Sequence, residues 1–509
     1  MKRASLPYLM LLSTGGCLWA GGDTAIVLDA KKQLFLDDYI IESAANVARV
    51  IHPARKYSGN PVLWDATVYG TVLYDEGRYR MWYQSSLGVH YAESKDGITW
   101  IKPLFDMVTV GGQKSNALIL SPSKAKEGVV SREQFPYFAE LFGVERDPRD
   151  KDAARRYKMG FLDVDRAYHG PHEDPFHKGS RRGFAVGTSP DGIHWKVFNN
   201  WATDAICDGG SHFMFDERSN GYVLYGRTKL ISPEVARAWG LNGLPTLSMS
   251  PEWHEFVKKT VWGRAVARVE SPDFLHWNIT EPAKAPVVMT ADVGEQPPGS
   301  EIYALMVFPY ESVYIGLIKV WHRTPDGGPL DIDLAISHDG VRFTRVGDRT
   351  PFIPVGEVGE WDRFNNSVSN NFPIAVGDEL RFYYSGRTVR HAPYDGKDTS
   401  SLGNGVGFAA IRRDRFVSLT ASFDGGRIIT KPVRLVGSTL HLNAKSDFGE
   451  ILVEILDLGG NVLSVSKLIR SDGLDIPVDW EQGGVAGRTN PVVMRITLKN
   501  AHLFAIWCS

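Results

Sequence analysis

The sequence predicts an all-β protein: a five-bladed β-propeller followed by a small C-terminal β-sandwich. Three observations predict it. A short aspartate turn motif returns along the chain, and a second hairpin precedes each copy. Turn and ring residues abound (51 Gly, 14 Trp, 19 Tyr and 24 Phe in 509 residues), with few long helical patterns.

The motif reads Ser94-Lys-Asp-Gly-Ile-Thr-Trp100, Ser189-Pro-Asp-Gly-Ile-His-Trp195, Ser271-Pro-Asp-Phe-Leu-His-Trp277 and Ser337-His-Asp-Gly-Val-Arg-Phe343. A decayed copy is Arg413-Asp-Arg-Phe416. Each follows a strand-like run. The aspartate caps a tight turn with its carboxylate, the glycine takes a positive φ, and the aromatic begins the outgoing strand.

The preceding hairpins pair Gly70–Asp75 with Tyr79–Tyr83, Phe142–Asp147 with Tyr157–Phe161, and Phe213–Asp216 with Tyr222–Tyr225. The last two pair Leu305–Pro309 with Val313–Leu317, and Pro373–Asp378 with Leu380–Tyr384. Each is two apolar runs joined by a polar turn. Four strands per unit, repeated five times over about residues 50–420, make five blades. Residues 23–420 are therefore read as the propeller, with 23–50 running across it or closing a blade. After residue 420 the motif stops. Alternating runs at Thr439–Asn443, Ile451–Ile455, Val492–Ile496 and Leu503–Trp507 assign 421–509 to the sandwich.

Residues 1–22 read as a secretory signal: a basic Met1-Lys2-Arg3, an apolar Leu6–Leu12, then small residues. The expected location is secreted or periplasmic, with lipidation at Cys17 as an alternative. No other apolar run reaches the ~18–20 residues that span a bilayer. A formal net charge of −2 gives no basic excess for nucleic acid. The three cysteines, Cys17, Cys207 and Cys508, have no metal or disulfide spacing. His169, His172 and His177 lie close together, but Gly and Pro between them deny a regular ligand spacing, so a loop is the expectation. No cofactor is expected.

Two resemblances carry function. The repeated motif resembles the Asp-box of sialidase-like propellers, one residue shorter. The stretch from Leu34-Phe-Leu-Asp-Asp-Tyr39 through Asn60-Pro-Val62, Tyr79-Arg-Met-Trp-Tyr83 and Ser94–Trp100, with Thr430-Lys-Pro432 before the last domain, resembles exported bacterial proteins. These are similar to the five-bladed propellers of glycoside hydrolase families 32 and 43. Arg146-Asp147-Pro148 matches the Arg-Asp-Pro triplet of family 32, and Cys207-Asp208 echoes its Glu-Cys pair. The family's Asn-Asp-Pro motif is absent. The resemblance implies an enzyme that cleaves poly- or oligosaccharides in an acidic funnel on the propeller axis.

Blade geometry selects among the acids. Asp75, Asp147, Asp216 and Asp378 occupy the first turn of their blades and read as turn caps. An acid seven or eight residues earlier reaches the opposite end of the innermost strand, at ~3.3 Å per residue. Asp208, Glu301 and Glu140 satisfy that spacing; Asp65 lies ten residues before Asp75. A glycosidase needs one carboxyl to protonate the leaving oxygen and one to activate water or attack. Asp208 and Glu301 are the expected pair, with Glu140 and Asp65 as alternatives. Gln84, Arg227 and Arg387 end the second strands, and a guanidinium there suits a sugar carboxylate or sulfate. Asn370, Asn371, Trp361, Asp362 and His322 are candidates for the rim.

The leading expectation is an exported glycoside hydrolase of a plant or algal glycan. One alternative is a lectin-like propeller that binds carbohydrate without cleaving it. Another is a sialidase-like enzyme, which wants three arginines and a tyrosine nucleophile; Arg227 and Arg387 supply two.

Overall fold

The computed structural model describes residues 25–85, 88–110, 112–120, 138–165, 181–198, 202–203, 209–230, 262–279, 285–291, 300–324, 327–370, 372–391 and 403–509. The leader, Cys17, Cys207, Asp208, Asn371 and the His169–His177 run lie outside them. The described chain is all-β apart from one 3-10 turn at Ala153–Arg155. It divides into two compact units, Arg49–Ser418 and a second that joins residues 1–48 to Leu419–Ser509.

The larger unit holds five antiparallel sheets of four or more strands in chain order, besides a two-stranded one of Phe105–Val110 and Gln113–Ser115. The first contains Thr67–Asp75, Arg78–Gln84, Gly88–Ser94 and Trp100–Ile101. The second contains Phe138–Arg146, Tyr157–Asp165, Arg181–Ser189 and Lys196–Val197. The third contains His212–Asp216, Gly221–Leu230, Trp262–Ser271 and Val287–Thr290. The fourth contains Glu301–Tyr310, Val313–Trp321, Leu330–Ser337 and Thr344–Arg345. In the fifth, Ser367–Val368 and Ile374–Val376 both pair with Glu379–Arg387, which pairs with Asn404–Arg412. Its outer edge is supplied from the other end of the unit, by Arg55–Lys56 and Leu63–Trp64. Pairing the earliest strands with the last sheet covers an edge that would otherwise stay open.

Each sheet is locked to the next. The first-turn aspartates accept hydrogen bonds from a tyrosine at the start of the following sheet's second strand. Asp75 accepts from the Tyr157 hydroxyl, Asp147 from Tyr222, and Asp216 from Tyr314 at 2.9 Å. Tyr310 donates to Asp414 at 2.6 Å, tying the fourth sheet to the turn after the fifth. Tyr383 of the fifth donates to the Gly97 carbonyl of the first at 2.8 Å. These acids act as turn caps and inter-sheet ties.

The motif turns form as their chemistry dictates. Asp96 accepts from the Ile98 and Thr99 amides, both at 2.8 Å, and those amides hold its carboxyl down at about 2. Asp191, Asp273 and Asp339 repeat the pattern. The glycine in this motif serves space as well as φ. A Cβ on Gly97 would sit 2.3 Å from the Tyr383 hydroxyl, and one on Gly192 would sit 2.6 Å from the Trp82 ring. Both rings belong to the preceding sheet. The third copy carries Phe274 at φ 72° instead. The preceding sheet has Gly160 where the others have Trp82, Tyr225 or Tyr383. Phe184 and Phe213 close in around Gly160, and Phe274 packs on Phe213 at 5.1 Å. That contact offsets a left-handed backbone at a bulky residue.

In the smaller unit one sheet runs through Asp472–Pro477, Leu440–Lys445 and Ala501–Cys508. The other runs Ile41–Ala45, Gly426–Thr430, Val493–Lys499, Glu450–Leu456, Val462–Ser466 and Trp480–Gln482. Leu440, Leu442, Leu503 and Ile506 of the first share one apolar cluster with Ile428, Ile451, Val453, Ile496 and Leu498 of the second. The strands expected near 439, 451, 492 and 503 are therefore present. The N-terminal boundary differs from expectation. Ile26–Leu28 pairs in parallel with Val433–Leu435, Gln33–Leu34 with Ala505–Ile506, and Ile41–Ala45 with Arg427–Thr430. Pairings some 400 residues apart leave no local pattern in the sequence. The buried Cys508 is a free thiol.

Candidate active site

Asn370 locates the middle of the five sheets. Its amide nitrogen donates to Gly70 O at 2.7 Å. Its side-chain nitrogen donates to Phe142 O and, at 3.3 Å, to Ser211 O. One residue of the fifth sheet's inner segment thus touches the inner backbone of the first, second and third. Asn370 is placed as a strut, with its side chain occupied by backbone.

Around this axis, polar side chains gather from all five sheets. Glu301 and Tyr303, two residues apart on the fourth sheet's first strand, both meet Arg264. The Arg264 Nε lies 2.9 Å from Glu301, and its guanidinium lies 4.4 Å from the Tyr303 ring centre. Arg323 donates to the other Glu301 oxygen at 2.8 Å. Glu301 is thus a buried carboxylate between two guanidinium groups. Arg227, from the third sheet, stands 5.4 Å from the Tyr303 ring, and Lys319 stands 4.6 Å from it. Cations over ring faces are held by the ring quadrupole. His391 meets Tyr303 and Trp321 edge-on, each at 4.9 Å.

Lys319 is wholly buried. Its ammonium nitrogen is 3.2 Å from the Tyr69 hydroxyl and contacts Ser367 Oγ. Burial drives its pKa well below the lysine range, and Arg387, Arg264 and Arg227 add to that; Glu140 opposes them. Burial likewise keeps His391 neutral, with the same three arginines and Lys319 contributing. Tyr69 is pushed well above the usual phenol range, by burial first and then by Tyr303 and Glu140. The phenol therefore stays protonated while its oxygen accepts from Lys319.

Glu140 belongs to this group through its effects on Tyr69 and Lys319. Its carboxylate lies against Gly209, where a Cβ would stand 1.9 Å from Oε2. Gly209 is therefore a close-approach glycine, and it directly follows Asp208.

The structure thus brings together Glu140, Glu301, Arg227 and Arg387 of the residues named from sequence. Asp208 lies outside the described residues. Asp65 is exposed, at φ 55°, with its amide on Asn404 O at 2.9 Å. Its charge acts on Tyr83, whose phenol is pushed up to about 12 mainly by burial. Gln84 accepts from the Leu141 amide at 2.9 Å, so it steadies the strand carrying Glu140. Trp361 packs on Tyr384 at 5.3 Å. Asp362 is buried, accepting from Tyr384 at 2.8 Å and pairing with Lys56 at 2.7 Å. His322 bonds Asp331 at 2.8 Å. These three serve their own sheets. Among the described residues no group of His, Cys, Asp and Glu could hold a metal ion.

Sequence reasoning missed Tyr69, Arg264, Tyr303, Lys319, Trp321, Arg323 and His391. One signal was legible: Lys319 interrupts the otherwise uncharged run Val313–Trp321, which is buried throughout. A lysine there must meet polar partners.

No protein-family model and no curated protein matches this chain. Solved structures do resemble it. One is described under the GH130 family of mannoside phosphorylases and glycoside hydrolases targeting β-1,2 mannosidic linkages. It is 12% identical, covers 72% of this chain and 95% of its own, and has a TM-score of 0.44. A thermostable family-43 glycoside hydrolase is 13% identical, covers 71% and 95%, and has a TM-score of 0.41. A Bombyx mori family-32 β-fructofuranosidase is 10% identical, covers 91% and 93%, and has a TM-score of 0.37.

Proposed function

We propose that this chain is an exported glycoside hydrolase of a plant or algal poly- or oligosaccharide, working at the axis of a five-bladed propeller. The observation that supports this reading is that Glu140 and Glu301 both bear on the group around Lys319, Glu140 through its charge on Lys319 and Glu301 through its pairing with Arg264. They come from inner strands of different sheets and share one cluster of aromatic rings and hydrogen-bond donors. Hydrolysis needs one carboxyl to give a proton to the leaving oxygen and another to take one from water or attack the anomeric carbon. Asp208, the residue before the Gly209 that Glu140 rests on, is the third candidate carboxyl. The N-terminal 22 residues support export.

A specific observation favours a second reading, a sialidase-like enzyme. Arg264 joins Arg227 at the Tyr303 ring, and the charge of Arg387 acts on the neighbouring His391, so three guanidinium groups and a tyrosine are at hand. The two readings differ in the nucleophile.

The test is a panel of plant and algal glycans, aryl glycosides and sialosides, given to the mature protein beside Asp208→Asn, Glu140→Gln, Glu301→Gln and Tyr303→Phe. Sugar release lost by about 10³-fold in two of the carboxyl variants supports the hydrolase reading. Loss confined to Tyr303→Phe with sialosides supports the second. Activity untouched by all four removes the axial site.

A further inference from the structure

We propose that the axial site binds a sugar bearing an anion, a carboxylate or a sulfate, through Arg227 and Arg264 at the Tyr303 ring, with Arg387 beside them. This rests on the reading of the axis as the substrate site and specifies what that site takes.

The first argument is charge. Four guanidinium groups, Arg227, Arg264, Arg323 and Arg387, surround the Tyr303–Trp321–Lys319 group. The carboxylates among the described residues that act on the same group are Glu140 and Glu301. Burial and the arginines lower the pKa of Lys319 and of His391, so neither adds a negative charge to the balance. The like charges repel one another inside a poorly solvated ring. A neutral glycan leaves that repulsion in place, whereas an anion relieves it.

The second argument is hydrogen bonding. Glu301 accepts a hydrogen bond from the Nη1 of Arg323 at 2.8 Å, while its second oxygen lies 2.9 Å from the Nε of Arg264 without a well-aligned hydrogen bond. The Nη1 of Arg264 is buried and has no hydrogen-bond partner among the described residues. A buried guanidinium donor left unmade is costly, and a planar fork matches the paired oxygens of a carboxylate or sulfate.

The third argument is shape. The guanidinium groups of Arg227 and Arg264 lie 5.4 and 4.4 Å from the centre of one ring, Tyr303. The ring places them on a common centre, so one anionic substituent can meet more than one of them.

The experiment measures binding separately from cleavage. Oligogalacturonate, a sulfated galactose oligosaccharide and neutral oligosaccharides of equal length are titrated into the mature protein by calorimetry, with product release followed in parallel. Arg387→Gln and Arg227→Gln are titrated alongside, their thermal midpoints confirming that they fold. We expect at least one anionic sugar to bind 10-fold or more tightly than its neutral counterpart. We expect either variant to lose about 10-fold for the anionic sugar alone. Preference for oligogalacturonate identifies the carboxylate, and preference for the sulfated sugar identifies the sulfate. Equal or tighter binding of neutral sugars overturns the inference. So does a loss that falls on charged and neutral sugars alike, or binding of none of them. Tight anionic binding with no product from any substrate keeps this inference and removes the hydrolase reading.

Discussion

The carboxylate of Glu140 rests on the α-carbon of Gly209, so closely that a methyl group there would stand 1.9 Å from Oε2. Gly209→Ala must therefore displace the carboxylate or the loop. Gly209 is not at a positive φ, so its backbone accepts alanine. Its effect falls on Glu140. The expected outcome is a fall in kcat of about 10²-fold, with a thermal midpoint close to wild type, since misplacing a catalytic group by an ångström carries that order of loss. Unchanged kcat would show that Glu140 takes no part in the chemistry.

Tyr383 joins the last sheet to the first through Gly97 O. Tyr383→Phe keeps the ring and removes one buried hydrogen bond. Denaturant unfolding should show a loss of about 1 kcal/mol. Gly97→Ala should cost more, because its Cβ would overlap the tyrosine hydroxyl and its φ is +74°. If Gly97→Ala is the milder of the two, the Tyr383–Gly97 tie does not form.

Lys319 carries a pH signature. In the unfolded chain it titrates near the ordinary lysine value of about 10.4. In the folded site burial and the neighbouring arginines lower that value. Between the two, the unfolded state binds a proton that the folded state resists, so stability rises with pH across that window. Lys319→Met removes the penalty at similar volume. Thermal midpoints of variant and wild type should differ most in favour of the variant near neutral pH. The difference should shrink toward about pH 10. A difference that grows with pH instead would mean that Lys319 is held as a cation.

Much of the ring was legible because its signals are local. The Ser94–Trp100 turn and its three clear repeats each close within a few residues, through contacts such as Asp96 to the Ile98 and Thr99 amides. Glu301 and Glu140 were named from strand length, and both lie on the first strand of their sheets. The strut role of Asn370 was not legible, since its partners lie on three other sheets. Nor were the sheet roles of Trp361 and Asp362, whose partners include Tyr384 and Lys56.

The sequence by itself determined the all-β character, the repeated hairpins and turns, and the acids able to reach the inner end of a strand. Those follow from alternation, turn chemistry and the rise per residue, all local quantities. Only the tertiary structure decided that Arg55–Lys56 completes the last sheet and that Ile26–Ala45 strands join the C-terminal unit. It also gathered Arg227, Arg264, Lys319 and His391 around Tyr303. These depend on pairings across hundreds of residues and on which side chains share a buried volume. Charge sum and spacing carry no record of either. The chain's net charge of −2 is nearly balanced, yet its axis concentrates guanidinium groups. Proximity in a low-dielectric interior makes that local excess matter.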